Sequence, residues 1–295
     1  MTGVRLHEDE LGIDAPLVRR LLAEQLPALA GLPLTPVPAT GTVNLVLRLG
    51  DDLAVRLPRA ARWAGSLERE LTWLPRLAPL LPLRVPQPVA AGRPSADYPL
   101  PWAVVRWLDG EPYAAERIDD ERRAAEDLAR FVLALRSALP TAAAPATGRA
   151  PIPSLNAVTR AAVDELGSGI DRAAVLTAWV RALEAPPWDG RPVWIHTDLL
   201  PPNLLARQGR LDAVLDFGGV GVGDPAGDGI AAWSVFGPAG RAAYRDALPL
   251  DEGAWERARG YALHQALLIV PYYRRSHPAF AASALRTIEQ VLADR

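Results

Sequence analysis

Between Val193 and Asp228 the chain reads VWIHTDLLPPNLLARQGRLDAVLDFGGVGVGDPAGD. A short apolar run, Val193 to Ile195, delivers His196-Thr197-Asp198, and Asn203 follows in the same loop. A second apolar run, Ala213 to Leu215, ends at Asp216-Phe217-Gly218. Two strands that each finish on a carboxylate, with an amide oxygen between them, gather hard oxygen donors suited to Mg²⁺ and phosphate. One carboxylate remains to take a proton from a hydroxyl. Phosphoryl transfer needs that combination.

The elements that must position these groups change character along the chain. Asp14 is expected to cap a helix whose apolar positions are Leu17, Val18, Leu21, Leu22 and Leu26. Val43–Leu49 and Leu53–Leu57 flank Gly50-Asp51-Asp52 and read as a hairpin. Leu67, Leu71, Leu74 and Leu77 mark an amphipathic helix closed by Pro79 and Pro82, and Val85–Ala90 and Trp102–Leu108 read as two more strands. After Asp109-Gly110-Glu111-Pro112 helical periodicity dominates, over Glu121–Leu139, over Asn156–Leu183 with a break at Gly167–Gly169, over Ala254–Val270 and over Phe280–Ala293. Pro140–Pro153 is low in complexity and is expected to be a mobile loop. The expected organisation is a mixed lobe over 1–108 and a mainly helical lobe over 109–295.

The 295 residues allow a large core or two lobes. A net charge of −2, from 32 basic and 34 acidic residues without a basic block, argues against a nucleic-acid partner. The polar, acidic opening is not that of a signal peptide, and the apolar run near Leu267–Val270 is too short to span a membrane. No cysteine is present, which excludes disulfides and thiolate chemistry and suits a cytoplasmic location. Lysine is absent too, so no P-loop lysine or Schiff base is available. His7, His264 and His277 lack metal-ligand spacing.

The string His196-x-Asp198-x4-Asn203, with Asp216-Phe217-Gly218 and Gly223-Asp224-Pro225-Ala226-Gly227-Asp228 downstream, resembles the kinase-like small-molecule phosphotransferases. The aminoglycoside and macrolide phosphotransferases are the nearest group, with choline-kinase-type enzymes as cousins. The resemblance implies an α+β, bilobal protein-kinase-like fold with a small N-terminal antiparallel-sheet lobe and a larger, mainly helical C-terminal lobe. It implies that Asp198 orients and deprotonates the acceptor hydroxyl, and that Asn203 and Asp216 hold Mg²⁺ on the phosphates of ATP or GTP. His196 would brace the loop, and Asp228 would bond its backbone. One departure is Thr197, where the family more often carries glycine.

In the amino-terminal lobe the family places a lysine on the third strand, paired with a helix glutamate. Here Arg56 stands on that strand and must serve the phosphates, with Glu70 as partner and Glu68 as the alternative. A plain strand–helix ion pair would look the same in sequence. Gly41-Thr42-Val43-Asn44 lies where backbone N–H groups of Thr42 and Asn44 would reach phosphate oxygens, or forms an ordinary turn. Val104–Leu108 is the expected hinge, offering main-chain groups to a purine. Trp233 and Trp255 are candidates for the acceptor cleft. The partners implied are a nucleoside triphosphate and a small-molecule hydroxyl acceptor, with the protein a monomer or homodimer. An aminoglycoside would need an acidic cleft and a macrolide apolar walls, and the sequence leaves both open, along with a metabolite acceptor and a catalytically silent protein.

Overall fold

A computed structural model of the chain describes residues 9–37, 43–147 and 149–294. Contacts divide it into two units, Met1–Gly110 with Ala213–Gly219, and Glu111–Asp212 with Val220–Arg295.

The first unit opens with α1 (Ala15–Gln25), capped by Asp14, whose carboxylate accepts from the Leu17 N–H at 2.8 Å. Strands β1 (Leu34–Pro36), β2 (Asn44–Leu49), β3 (Leu53–Pro58), β4 (Pro88–Gly92) and β5 (Trp102–Arg106) form an antiparallel sheet in the order β1-β2-β3-β5-β4. Helix α2 (Ala64–Leu77) lies between β3 and β4 in sequence. Pairing of Val46 with Arg56 and of Arg56 with Ala103 fixes which side chains share a face. Leu47, Leu49, Val55, Leu57, Trp102 and Val104 pack on Leu17, Val18, Leu21 and Leu22 of α1. The opposite face sets Val46, Ala54, Ala103 and Val105 against Leu67 and Leu71 of α2. Arg56 emerges on this second face, toward the helix that carries Glu70.

The strand expected from Val85 begins at Pro88 instead, with a register shift between Pro88 and Ala90. The last strand ends at Arg106, because the Arg106 and Trp107 N–H groups turn to Gln87 and Asp52 carbonyls at 2.8 Å each. Val104 and Val105 pair with β3 on one side and β4 on the other. Most of the expected hinge is therefore committed to the sheet rather than free for a base.

The second unit contains β6 (Glu111–Pro112), α3 (Glu121–Ser137), α4 (Asn156–Leu166), α5 (Arg172–Glu184), β7 (Val193–Ile195) and β8 (Leu204–Arg207). Strand β9 (Arg210–Val214) follows the Gln208-Gly209 turn, both residues having positive φ, and then come β10 (Gly221–Gly223), α6 (Ala231–Ser234), α7 (Pro238–Ala247), α8 (Glu252–Tyr273) and α9 (Pro278–Ala293). Short pairings hold the functional loop: β7 with β10, and β6 with β8. Helix α8 is the core element, buried along most of its length and packed on α4, α5 and α9.

The single boundary after residue 108 takes no account of 213–219. Val214 N–H donates to the Arg84 carbonyl at 2.9 Å, and residues 217–219 pack on α2. A Cβ at Gly218 would stand 2.9 Å from the Ser66 Cβ, so this approach to α2 requires glycine.

The expectation of a mobile loop over Pro140–Pro153 is corrected. Val222 N–H donates to Pro145 O at 2.8 Å, Thr147 N–H donates to Val222 O at 3.0 Å, and Ala146 bridges Val222 in parallel. A Cβ on Gly221 would come within 2.8 Å of Pro145 O and Thr147 N, so composition alone misread a segment that glycine lets dock closely.

Candidate functional site

Asp198 lies in the loop after β7, and both of its carboxylate oxygens receive amide donors. Asn203 Nδ2 donates to Oδ2 at 2.7 Å and also to the Asp198 backbone carbonyl at 2.9 Å. Gln265 Nε2, from α8, donates to Oδ1 at 2.7 Å. The Asn203 orientation follows from chemistry: its neighbours here are acceptors, so the NH₂ faces them and Oδ1 turns away.

The loop is held from beneath. Asp228 is fully buried and accepts the His196 N–H at 3.0 Å and the Thr197 N–H at 2.8 Å. His196 is also fully buried, and its Nδ1 accepts the Asp198 N–H at 3.3 Å. Both side chains are buried beneath the loop and hydrogen-bond its backbone. Thr197 adopts φ 78°, a left-handed conformation costly for a β-branched residue. The Gly-Asp-Pro stretch is fixed by Arg257, whose Nε donates to Asp224 Oδ2 at 2.8 Å and Nη2 to Oδ1 at 3.1 Å.

Two residues at the centre of this arrangement carry no sequence signal. Arg149, from the loop composition had marked as mobile, donates through Nη2 and Nε to the Thr197 carbonyl and through Nη2 to Gln265 Oε1 at 2.8 Å. Its guanidinium sits 5.3 Å from the centre of the Tyr261 ring. Burial pushes its pKa down, against the opposing pull of Asp198, Tyr261 and Asp228.

In the first unit Arg56 and Glu70 form a buried ion pair, with the Glu70 side chain 1% exposed. Burial lowers the Arg56 pKa, but the charges of Glu70 and Asp216 outweigh it and hold the group above its ordinary value. Asp216 therefore acts electrostatically on Arg56 within this unit. It has φ 59°, and its Oδ1 accepts the Gly218 N–H at 3.3 Å. Asn44 is 9% exposed, and its Oδ1 is buried without a hydrogen-bond partner among the described residues. Gly41 and Thr42 lie outside the described residues.

Trp233 and Trp255 do not face a cleft: both are buried, 6.2 Å apart in a T-shaped pair, and Trp233 Nε1 donates to Asp294 at 2.8 Å. A recess near Asp198 is lined instead by Leu200, Pro201, Ala262, Ile269 and Phe280, with Gln265 shared between it and the Asp198 carboxylate.

Mg²⁺ calls for hard oxygen donors. Among the described residues, no three of His, Cys, Asp or Glu gather as a metal cage. The Asn203 amide oxygen and the Asp216 carboxylate are nevertheless hard donors of the kind Mg²⁺ prefers, and the Asn203 Oδ1 is turned away from Asp198.

The antiparallel sheet unit, the mainly helical unit and the His196–Asp228 loop define a protein-kinase-like phosphotransferase fold. Residues 34–261 match the model of the Phosphotransferase enzyme family, and the chain belongs to that family. The GDP and kanamycin complex of APH(2")-IIia is similar, with a TM-score of 0.74 at 19% identity, over 94% of this chain and 99% of that one. ADP-bound aminoglycoside phosphotransferase APH(2'')-Ib aligns with a TM-score of 0.60 at 16% identity, over 94% and 98% of the two chains. A macrolide 2'-phosphotransferase of type I aligns with a TM-score of 0.62 at 21% identity, over 92% and 95%. A search of curated protein sequences returned no match.

Proposed function

We propose that this protein is an ATP- or GTP-dependent O-phosphotransferase that moves a γ-phosphoryl group to a hydroxyl of a small molecule. The supporting observation is the Asp198 carboxylate, held on both oxygens by neutral amide donors in a loop anchored on buried Asp228. Such a carboxylate orients an acceptor hydroxyl and takes its proton. The hydroxyl oxygen forms a bond to the γ-phosphorus while the bond to the β–γ bridging oxygen breaks, and a nucleoside diphosphate leaves.

Arg56 would neutralise phosphate charge, and Glu70 fixes its guanidinium. Asn44, with an unpartnered buried oxygen, offers the nucleotide an acceptor. Asn203 and Asp216 would hold Mg²⁺, which when bound offsets charge on the phosphates. Triphosphate co-substrates suit a cytoplasmic location.

The family's solved members include aminoglycoside and macrolide enzymes, which makes an antibiotic of either kind the first acceptor to try. The recess beside Asp198 presents Leu200, Pro201, Ala262, Ile269 and Phe280 and, among the described residues, no carboxylate in its lining. The same lining also carries Ser234, Ser283 and Thr287 and is too narrow to hold either antibiotic, so both classes enter the screen. Metabolites of the choline, homoserine or sugar type complete the set to be screened.

The test is a phosphorylation screen with ATP and GTP over macrolides, aminoglycosides and amino alcohols, with Asp198→Ala alongside. Turnover should fall by about 10²–10⁴-fold in that variant, with little change in nucleotide affinity. Full activity in Asp198→Ala overturns the assigned base, and absence of acceptor-dependent nucleotide consumption supports a silent nucleotide-binding protein instead.

A further inference from the structure

Gln265 and Arg149 lie 116 residues apart in sequence yet meet at 2.8 Å. Arginine only donates, so the Gln265 atom facing it is Oε1, and Nε2 is left pointing at Asp198 Oδ1. The amide can take only this orientation while Arg149 is in place. The same guanidinium also binds the carbonyl of Thr197, the residue before Asp198. One cation thereby fixes both the backbone that carries the carboxylate and the side chain that orients it.

The supporting frame is rigid. Tyr261 and Gln265 are one helical turn apart on α8, so both face Arg149, the ring beneath its plane and the amide at its edge. Asn203 holds the other carboxylate oxygen from within the loop. Gln265 holds the Oδ1 side of the same carboxylate from α8.

We infer that Gln265 is a positioning residue for phosphoryl transfer, setting the rotation of the Asp198 carboxylate, with Arg149 dictating the direction of the Gln265 amide. The inference rests on the assignment of Asp198 as the proton acceptor. It places the determinant on a helix far in sequence from the signature loop, on a side chain that touches Asp198 and lines the recess.

The decisive variant is Gln265→Glu. It keeps the shape and the contact to Arg149 but has no N–H to give to Asp198. Activity would be read as nucleoside diphosphate formed from ATP and GTP, with water alone and with erythromycin or kanamycin as acceptor. The expected result is a kcat lower by about 10–100-fold, with nucleotide Kd and acceptor KM within about twofold of wild type. A merely structural role would move melting temperature and affinities together with kcat, whereas Tm should stay within about 3 °C. Crystals of Gln265→Glu should show the Asp198 carboxylate rotated off its present position, a readout independent of any acceptor. Arg149→Met should lower kcat similarly, and adding Gln265→Leu to it should change kcat by less than about twofold more.

A Gln265→Glu protein with kcat within about threefold of wild type, or with Asp198 unmoved, overturns the inference. Asp198→Ala separates the two levels. If that variant is fully active, the base assignment fails and takes this role with it. If it is inactive while Gln265→Glu is fully active, only the positioning role fails.

Discussion

Thr197 holds a left-handed backbone at φ 78° while its N–H donates to Asp228 Oδ1 at 2.8 Å. A β-branched residue is disfavoured there by about 1–2 kcal/mol, and the buried carboxylate keeps the peptide in place. On the other side Arg149 takes the Thr197 carbonyl. The family's usual glycine would adopt this conformation without strain, and Thr197 can stand in for it because both ends of its peptide are clamped.

Thr197→Gly should therefore be close to neutral, within about 1 kcal/mol of wild type or slightly more stable. Truncation of a buried β-branched side chain elsewhere would cost more. Urea unfolding measures the difference, and a loss above about 2 kcal/mol would show that the left-handed strain is not the governing effect.

Asp228→Asn removes the charge that meets the His196 and Thr197 N–H groups, and it turns an NH₂ group toward one of them. A loss of about 2–4 kcal/mol in stability is expected. The loop should become susceptible to protease near Thr197, a change visible in limited proteolysis even where the variant remains folded.

Arg56→Met should cost about 3–5 kcal/mol, because it strands the Glu70 carboxylate, 1% exposed, without its cation. Arg56→Met with Glu70→Met should be more stable than Arg56→Met alone. Thermal melts of the three variants give the order directly. The double variant should still bind nucleotide poorly, since stability and phosphate neutralisation separate at this pair.

His264 is buried, stacks on Trp179 and meets Thr159 Oγ1 through Nδ1 at 2.8 Å. The Thr159 hydroxyl also donates to Leu155 O at 2.8 Å. Burial first, and then the Arg149 charge, push its pKa down from 6.5 to about 4. The folded state thus holds this ring neutral where the unfolded chain would protonate it. Its contribution is complete above pH 6.5 and is lost as pH falls toward 4, by about 3 kcal/mol at most. The unfolding free energy of His264→Gln should fall less steeply over that interval than that of wild type.

Much of the candidate site was legible because phosphate chemistry dictates residue types at close spacing. Asp198, Asn203, Asp216 and Asp228 sit within one short stretch, and the family resemblance, with the helical spacing of Glu70, paired Arg56 with Glu70. Arg149 and Gln265 were not legible. One lies among alanines and prolines that read as filler, the other in an apolar helix, and no short-range pattern couples them. The errors over Pro140–Pro153 and at Trp233 and Trp255 share that cause: composition reports what a segment is made of, and docking onto distant glycines or aromatics decides what it does. The β8–β9 hairpin was missed because its Gln208-Gly209 turn is a weaker signal than Asn-Gly.

The segment 213–219 folds with a unit whose other residues all precede Glu111. No single cut of the polypeptide can then release that unit whole. A fragment ending at Gly110 would keep Arg56 and Glu70 but lose Asp216, together with the strand that pairs at Arg84. The half-gene strategies that work for continuous domains would yield an amino-terminal piece lacking one of its acidic groups, which a linker joining Gly110 directly to Ala213–Gly219 would restore.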